Sequence, residues 1–131
     1  MPHQCVVEFR VAVPVDALCV GVLATQVFLD TYAIDGLRAD LAREVLANYS
    51  PAAFEARIRD SANHVVLAER AGCLVAFSEC SRSSKPPIPS LSAGVELVRL
   101  YVQRHSQRLG IGAALLTKAE AHARVAGARF L

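Results

Sequence analysis

Little in this sequence ties it to a metal, a membrane or a polyanion. Its four cysteines, Cys5, Cys19, Cys73 and Cys80, stand far apart, with no Cys-x-x-Cys pair and no Cys/His cluster at ligand spacing. A structural zinc site and a disulfide framework are therefore not expected. Each thiol lies in an apolar stretch and is expected to be a reduced, buried core group. Charge of either sign is scarce: 14 Lys and Arg against 12 Asp and Glu leave a net +2. No basic stripe points to nucleic acid. The opening "MPHQCVVEFR" lacks the basic start and long apolar run of a secretory leader. The longest apolar stretches, such as "ALCVGVLA", fall short of the ~20 residues of a membrane span. The expectation is a soluble, cytoplasmic protein with neither nucleic acid nor membrane as partner. What the chain does have is apolar material: 53% of its 131 residues are hydrophobic. That suits one core, and hence a single domain over residues 1–131.

The β-branched run "CVVEFRVAVPV" (Cys5 to Val15) predicts a first strand ended by Pro14. Asp16 then stands where an N-cap would, and "ALCVGVLATQVFLDTY" continues at helical spacing, with Leu18, Val22, Leu23 or Val27, and Phe28 on one face. "DGLRADLAREVLANYS" predicts a second helix lined by Leu37, Leu41, Val45 and Leu46; Pro51 opens a short third. His64–Glu69 and Cys73–Cys80 form a hairpin about "RAG". "SRSSKPPIPSLSAG" is a loop by composition. Val95–Val102 is a further strand, Gly112–Gly127 an amphipathic helix stopped by Gly127, and "ARFL" the start of one more strand. The order strand, helices, hairpin, strand, helix, strand predicts an α/β (α+β) mixed sheet with helices on both faces.

Glycine is sparse, seven residues in all, and two of them bracket the start of the last helix in "QRLGIGAALL". A helix N-terminus leaves amide N–H groups without intrahelical partners and carries a partial positive charge. Glycine lets the backbone turn sharply and lets a ligand come close. Together they make an anion cradle suited to phosphate. Gln107 and Arg108 add donors beside it, and Arg104 can reach the same ligand. "GIGAAL" has no Lys-Ser or Lys-Thr after its last glycine, and Leu115 stands where a dinucleotide fingerprint needs a small residue. Both nucleotide-binding patterns are therefore poor fits.

The segment "VELVRLYVQRHSQRLGIGAALLTKAEAHARVAGARFL" closely resembles the coenzyme-A-binding motif of the GNAT superfamily of N-acyltransferases. Gln107, Gly110 and Gly112 stand at the positions of its Gln/Arg-x-x-Gly-x-Gly/Ala signature. "FRVAVPVDALCVGVLATQVFLDTY" is similar to the family's opening strand and first helix, and "HVVLAERAGCLVAFSEC" to its second and third strands. The resemblance implies acetyl transfer from acetyl-CoA (coenzyme A) to a primary amine of a small molecule or peptide. It implies that the backbone amides of Arg108, Leu109, Gly110, Ile111 and Gly112, with Gln107, hold the pyrophosphate. Leu100 and Val102 would pair with the pantetheine arm like an added strand. Where many members carry a proline shortly after the strand, this chain has Arg104 or His105.

Direct transfer needs an amine stripped of its proton. Glu96 is the candidate base: it lies on the strand that would carry the thioester, and the resemblance places a glutamate there in some members. Strict alternation would put Glu96, Val98, Leu100 and Val102 on one face, with Tyr101 on the other. Glu79 is a second candidate. No metal is called for. His64 and His122 are expected at a strand end and on a helix surface, and Asp30, Asp35, Asp40 and Glu44 on a solvated helix face. The resemblance also implies further C-terminal strands and a helix beyond "ARFL". Two expectations follow: a homodimer that covers the open sheet edge, or a catalytically weak or inactive coenzyme-A-binding or interaction module left by truncation.

Overall fold

The structure, a computed structural model, describes residues 6–82 and 94–125, and the backbone of 129–130. Strand β1 (Val7–Val11) leads through a 3-10 turn (Pro14–Asp16) into α1 (Ala17–Tyr32), α2 (Ala39–Asn48) and α3 (Pro51–Arg59). Strands β2 (Asn63–Arg70), β3 (Cys73–Arg82) and β4 (Gly94–Val102) follow. A 3-10 segment (Arg104–Leu109) then opens α4 (Ile111–Val125), and β5 (Arg129–Phe130) comes last. The strands form one sheet in sequence order, antiparallel from β1 to β4 and parallel between β4 and β5. This is the expected mixed sheet.

Helices cover both faces. Val20, Leu23 and Ala24 of α1 pack with Tyr49 and Phe54 on Val65, Leu67 and Phe77. Ile111, Leu115, Ala119 and Ala123 of α4 cover Val66, Ala68, Ala76, Cys80 and Val95 on the other side. Their i, i+4 spacing gives α4 one apolar stripe, and alternation along β2 feeds both cores in turn. Phe54 and Phe77 are fully buried; truncating either to alanine costs about 3–5 kcal/mol.

Several local expectations are corrected. The inward face of α1 is Val20, Leu23, Ala24 and Val27; Leu18 and Val22 are 61% and 62% exposed. The expected Leu23, Val27 and Phe28 do pack inward, and in the first half of the helix Val20 and Ala24 take the place of Leu18 and Val22. Leu37 and Leu46 are also exposed, and α2 buries no residue. Asp16 does not cap α1: its carboxylate accepts from the Val13 N–H and from both ends of the Arg10 fork, at 2.7–2.8 Å. Ser50 does cap α3, accepting from the Ala53 N–H at 3.1 Å ahead of Pro51. Cys80 alone among the described cysteines is a core thiol; Cys19 and Cys73 are exposed. Burial, helped by Glu79, pushes the Cys80 thiol pKa up. Cys5, most of the 81–94 loop and Gly127 lie outside the described residues.

Pro14–Tyr32 meets the length and hydropathy of a membrane span, contrary to the estimate from its shorter apolar stretch. In the fold one face of it packs on the sheet, with Val20 and Ala24 fully buried, and 28% of the span is buried in all. Gly21 explains how α1 comes so close to the next layer. A Cβ there would lie 2.9 Å from the Tyr49 carbonyl oxygen and 3.2 Å from the Pro51 nitrogen.

Candidate active site

Strand β4 carries the candidate base, and its register decides which way each side chain faces. Glu79 pairs with Arg99, but Cys80 pairs with Leu97, so Val98 is an extra residue with no partner on β3. This one-residue bulge breaks the alternation. Leu97, like Leu100 and Val102, packs toward α4, whereas Arg99 and Tyr101 point toward α1 and α3. Glu96 pairs with Ser81, next to Leu97, and so falls on the face of Arg99 and Tyr101. The expected grouping of Glu96 with Leu100 and Val102, opposite Tyr101, is therefore corrected. Glu96 is exposed rather than set among apolar side chains.

The outer edge of β4 is mostly open. β5 pairs only with Gly94 and Val95, so from Glu96 to Val102 this edge has no strand partner among the described residues. The Gln103 N–H donates to the Val75 carbonyl at 2.8 Å. Alternation back from that bond turns the backbone groups of Tyr101 and Arg99 toward β3, and those of Val102 and Leu100 toward the open edge. The Val102 carbonyl accepts there from Gln107 Nε2 at 3.3 Å. The Gln107 amide thus ties the turn to the end of the strand.

The turn itself fits an anion. Gly110 has φ +74° and ψ 12°, the left-handed conformation that ends the 3-10 segment and starts α4. No atom lies within 4 Å of where a Cβ of Gly110 would be, and at Gly112 only Val102 Cγ2 comes near, at 3.7 Å. Both glycines border open space. The first amides of α4, like those of any helix start, have no intrahelical acceptors. Arg104, His105 and Arg108 are exposed around it, and none forms an ion pair among the described residues. Arg104, Gln107 and Val102 also line a cavity of about 300 Å³, closed on its far side by Val27, Asp30, Thr31 and Ile34 of the α1 end. Asp30 is exposed, as expected of a solvated helix face, and the fold brings it beside the turn.

On the α1 side of β4, Glu79, the second candidate base, is buried and grouped with Arg99, Tyr49 and Tyr101. Arg99 donates to Glu79 Oε1 at 2.8 Å, and the two side chains are 17% and 4% exposed. Burial works against the Arg99 cation, but the Glu79 charge and hydrogen bond more than offset it, so its pKa stands above the ordinary value. Tyr49 Oη and Tyr101 Oη lie 2.7 Å apart. Burial, then the Tyr49 hydroxyl, pushes the Tyr101 phenol up, so it stays protonated. The available signal was an arginine inside the otherwise apolar "VRLYV".

The sequence profile of the Acetyltransferase (GNAT) domain matches residues 28–130. The chain belongs to the GNAT acetyltransferase family. Solved structures share the fold. A PaiA N-acetyltransferase from Thermoplasma acidophilum, crystallised with coenzyme A, superposes with a TM-score of 0.79 at 21% identity, over 93% of this chain and 74% of that one. A GCN5-related N-acetyltransferase from Ralstonia eutropha JMP134 gives 0.76 at 24% identity, over 96% and 82%. An aminoglycoside acetyltransferase from an uncultured soil metagenome gives 0.69 at 17%, over 95% and 76%. No curated protein sequence matches significantly. For this GNAT domain the acyl donor of the family is acetyl-CoA, and the open strand edge and glycine turn have the shape and donors to suit its arm and diphosphate.

Proposed function

We propose that this chain transfers an acetyl group from acetyl-CoA to a primary amine of a small molecule or peptide by direct attack. The observation that supports this most is the open edge of β4 running into the amide-rich start of α4. One strand thereby offers pairing groups for an extended arm and, at its end, donors for a diphosphate. Acetyl-CoA, when bound, supplies the thioester carbonyl that the amine attacks.

The backbone of Leu100 and Val102 holds the arm, and the amides from Arg108 to Gly112 hold the diphosphate, with Arg104 and Arg108 adding charge. Gln107 keeps the turn closed onto Val102. Glu96 takes the amine proton as the nitrogen–carbon bond forms. As the carbon–sulfur bond of bound acetyl-CoA breaks, the thiolate would take one proton from solvent, balancing the one that Glu96 removes from the amine. The exposed thiols Cys19 and Cys73 suit a reducing, cytosolic setting.

Calorimetry with coenzyme A and thiol release in an amine panel test the proposal. Glu96→Gln is expected to bind coenzyme A like the parent chain and to lose turnover by ~10²-fold or more. Undiminished turnover would remove Glu96 from the mechanism. No heat of coenzyme A binding to the parent chain would remove the whole reading.

A further inference from the structure

The polar group on the α1 side of β4 sits where three things meet. The bulge at Val98 lies directly before Arg99 in sequence. Glu79, its partner on β3, is the last residue paired before the register slips. Tyr49 lies between α2 and α3, on the loop that Gly21 allows α1 to approach. The Arg99 guanidinium carbon stands 5.6 Å from the centre of the Tyr49 ring and 5.8 Å from that of Phe54. It thus lies beside both rings while its Nη1 donates to Glu79. Tyr49 in turn shares its hydroxyl hydrogen bond with Tyr101, two residues further along β4.

A bulge disrupts the ladder locally, bends the strand and sharpens its twist, which re-aims the side chains beside it. Glu79 and Arg99 span β3 and β4 at that point, and their 2.8 Å hydrogen bond holds the bend in one arrangement. The hydroxyl pair ties the same stretch of β4 to the loop after α2. Without it α2, which buries no residue of its own, would be held to the sheet by fewer contacts.

Resting on the acyl-transfer reading above, we propose that Arg99 is a positioning residue for the reaction. Clamped by Glu79 and laid on Tyr49, it fixes the β4 bulge, and through the Tyr49–Tyr101 hydroxyl pair it sets the distance between the cofactor strand and the wall formed by α1 and α2. Glu96 stands on the same face of β4, one bulge away, so the orientation of the base depends on this clamp.

The test uses the full chain with Arg99→Lys, Tyr49→Phe, Tyr101→Phe and the double Phe variant. Lysine keeps the charge but loses the planar guanidinium and its place beside the Tyr49 and Phe54 rings. Each Phe variant removes one oxygen. Removing Glu79 would strand a buried cation and is the poorer choice. Calorimetry is expected to give coenzyme A affinities within about twofold of the parent. Turnover of Arg99→Lys is expected to fall on the order of tenfold. The single Phe variants should each lose a few-fold, and the double variant no more than the worse single, because either change breaks the same bond.

Parental kcat and acceptor KM in Arg99→Lys would overturn the proposal. So would multiplicative losses in the double Phe variant, or a fall in coenzyme A affinity that tracks the fall in turnover. If Arg99→Lys does not fold, the Phe cycle decides. A parent chain that binds and turns over while every variant matches it defeats this inference alone. A parent chain that neither binds nor turns over defeats the acyl-transfer reading with it.

Discussion

Gly110 and Gly112 look alike in the sequence and differ in what they do. Gly110 holds φ +74°, so any side chain there strains the backbone whatever space is available; Gly110→Ala should cost about 1 kcal/mol of stability. Gly112 has an ordinary conformation, and a Cβ would meet only Val102 Cγ2 at contact distance. Gly112→Ala is therefore expected to melt like the parent chain, while Gly112→Leu projects into the space before the α4 amides and weakens coenzyme A binding by ~10-fold or more. Thermal melts and calorimetry on the pair separate backbone strain from ligand clearance. Equal coenzyme A affinity in Gly112→Leu would place the diphosphate elsewhere. Glu96 shows the opposite limit. Its residue type and strand were legible, but its face was not, because the bulge at Val98 adds one residue and reverses the count.

Among the elements, α4 is held at both ends by groups of different character. At its start the turn grips Val102 through Gln107. Near its end the His122 ring stacks on His64 of β2, with centres 3.6 Å apart and planes 3° from parallel. Burial lowers the pKa of His64, with His122 the second cause. The folded chain therefore binds this proton less readily than the unfolded chain. The stabilisation is complete above the unfolded imidazole value of ~6.5 and is lost as pH falls through and below it. The melting temperature is expected to drop between pH 7.5 and 5.5, and His64→Gln should flatten that drop. An unchanged slope in the variant would assign the acid sensitivity to other groups. The sequence had placed these two histidines separately, at a strand end and on a helix surface. Their elements were right, but nothing in a one-dimensional pattern brings position 64 against position 122.

At the scale of the molecule, the proposed binding of coenzyme A across β4 and α4 would link the sheet to the helix that covers it. A ligand that binds only the folded chain raises its stability by about 2.7 kcal/mol at one hundred times its Kd. A saturable upward shift of the melting temperature is therefore expected with coenzyme A, and its absence would contradict a preformed cradle. The strand edge itself is open from Glu96 to Val102 among the described residues, ready for the cofactor arm to pair along it.

The sequence by itself determined the element order, the mixed sheet with helices on both faces, and the turn at Gly110. These depend on local chemistry: β-branched runs, apolar repeats at helical spacing, and a glycine where the chain must turn left-handed. The tertiary structure alone decided which stripe of α1 faces the sheet, which side of β4 carries Glu96, and the union of Glu79, Arg99, Tyr49 and Tyr101. Each of those depends on register. A shift of one residue between strands, or of one position around a helix, changes every contact while leaving the local pattern the same.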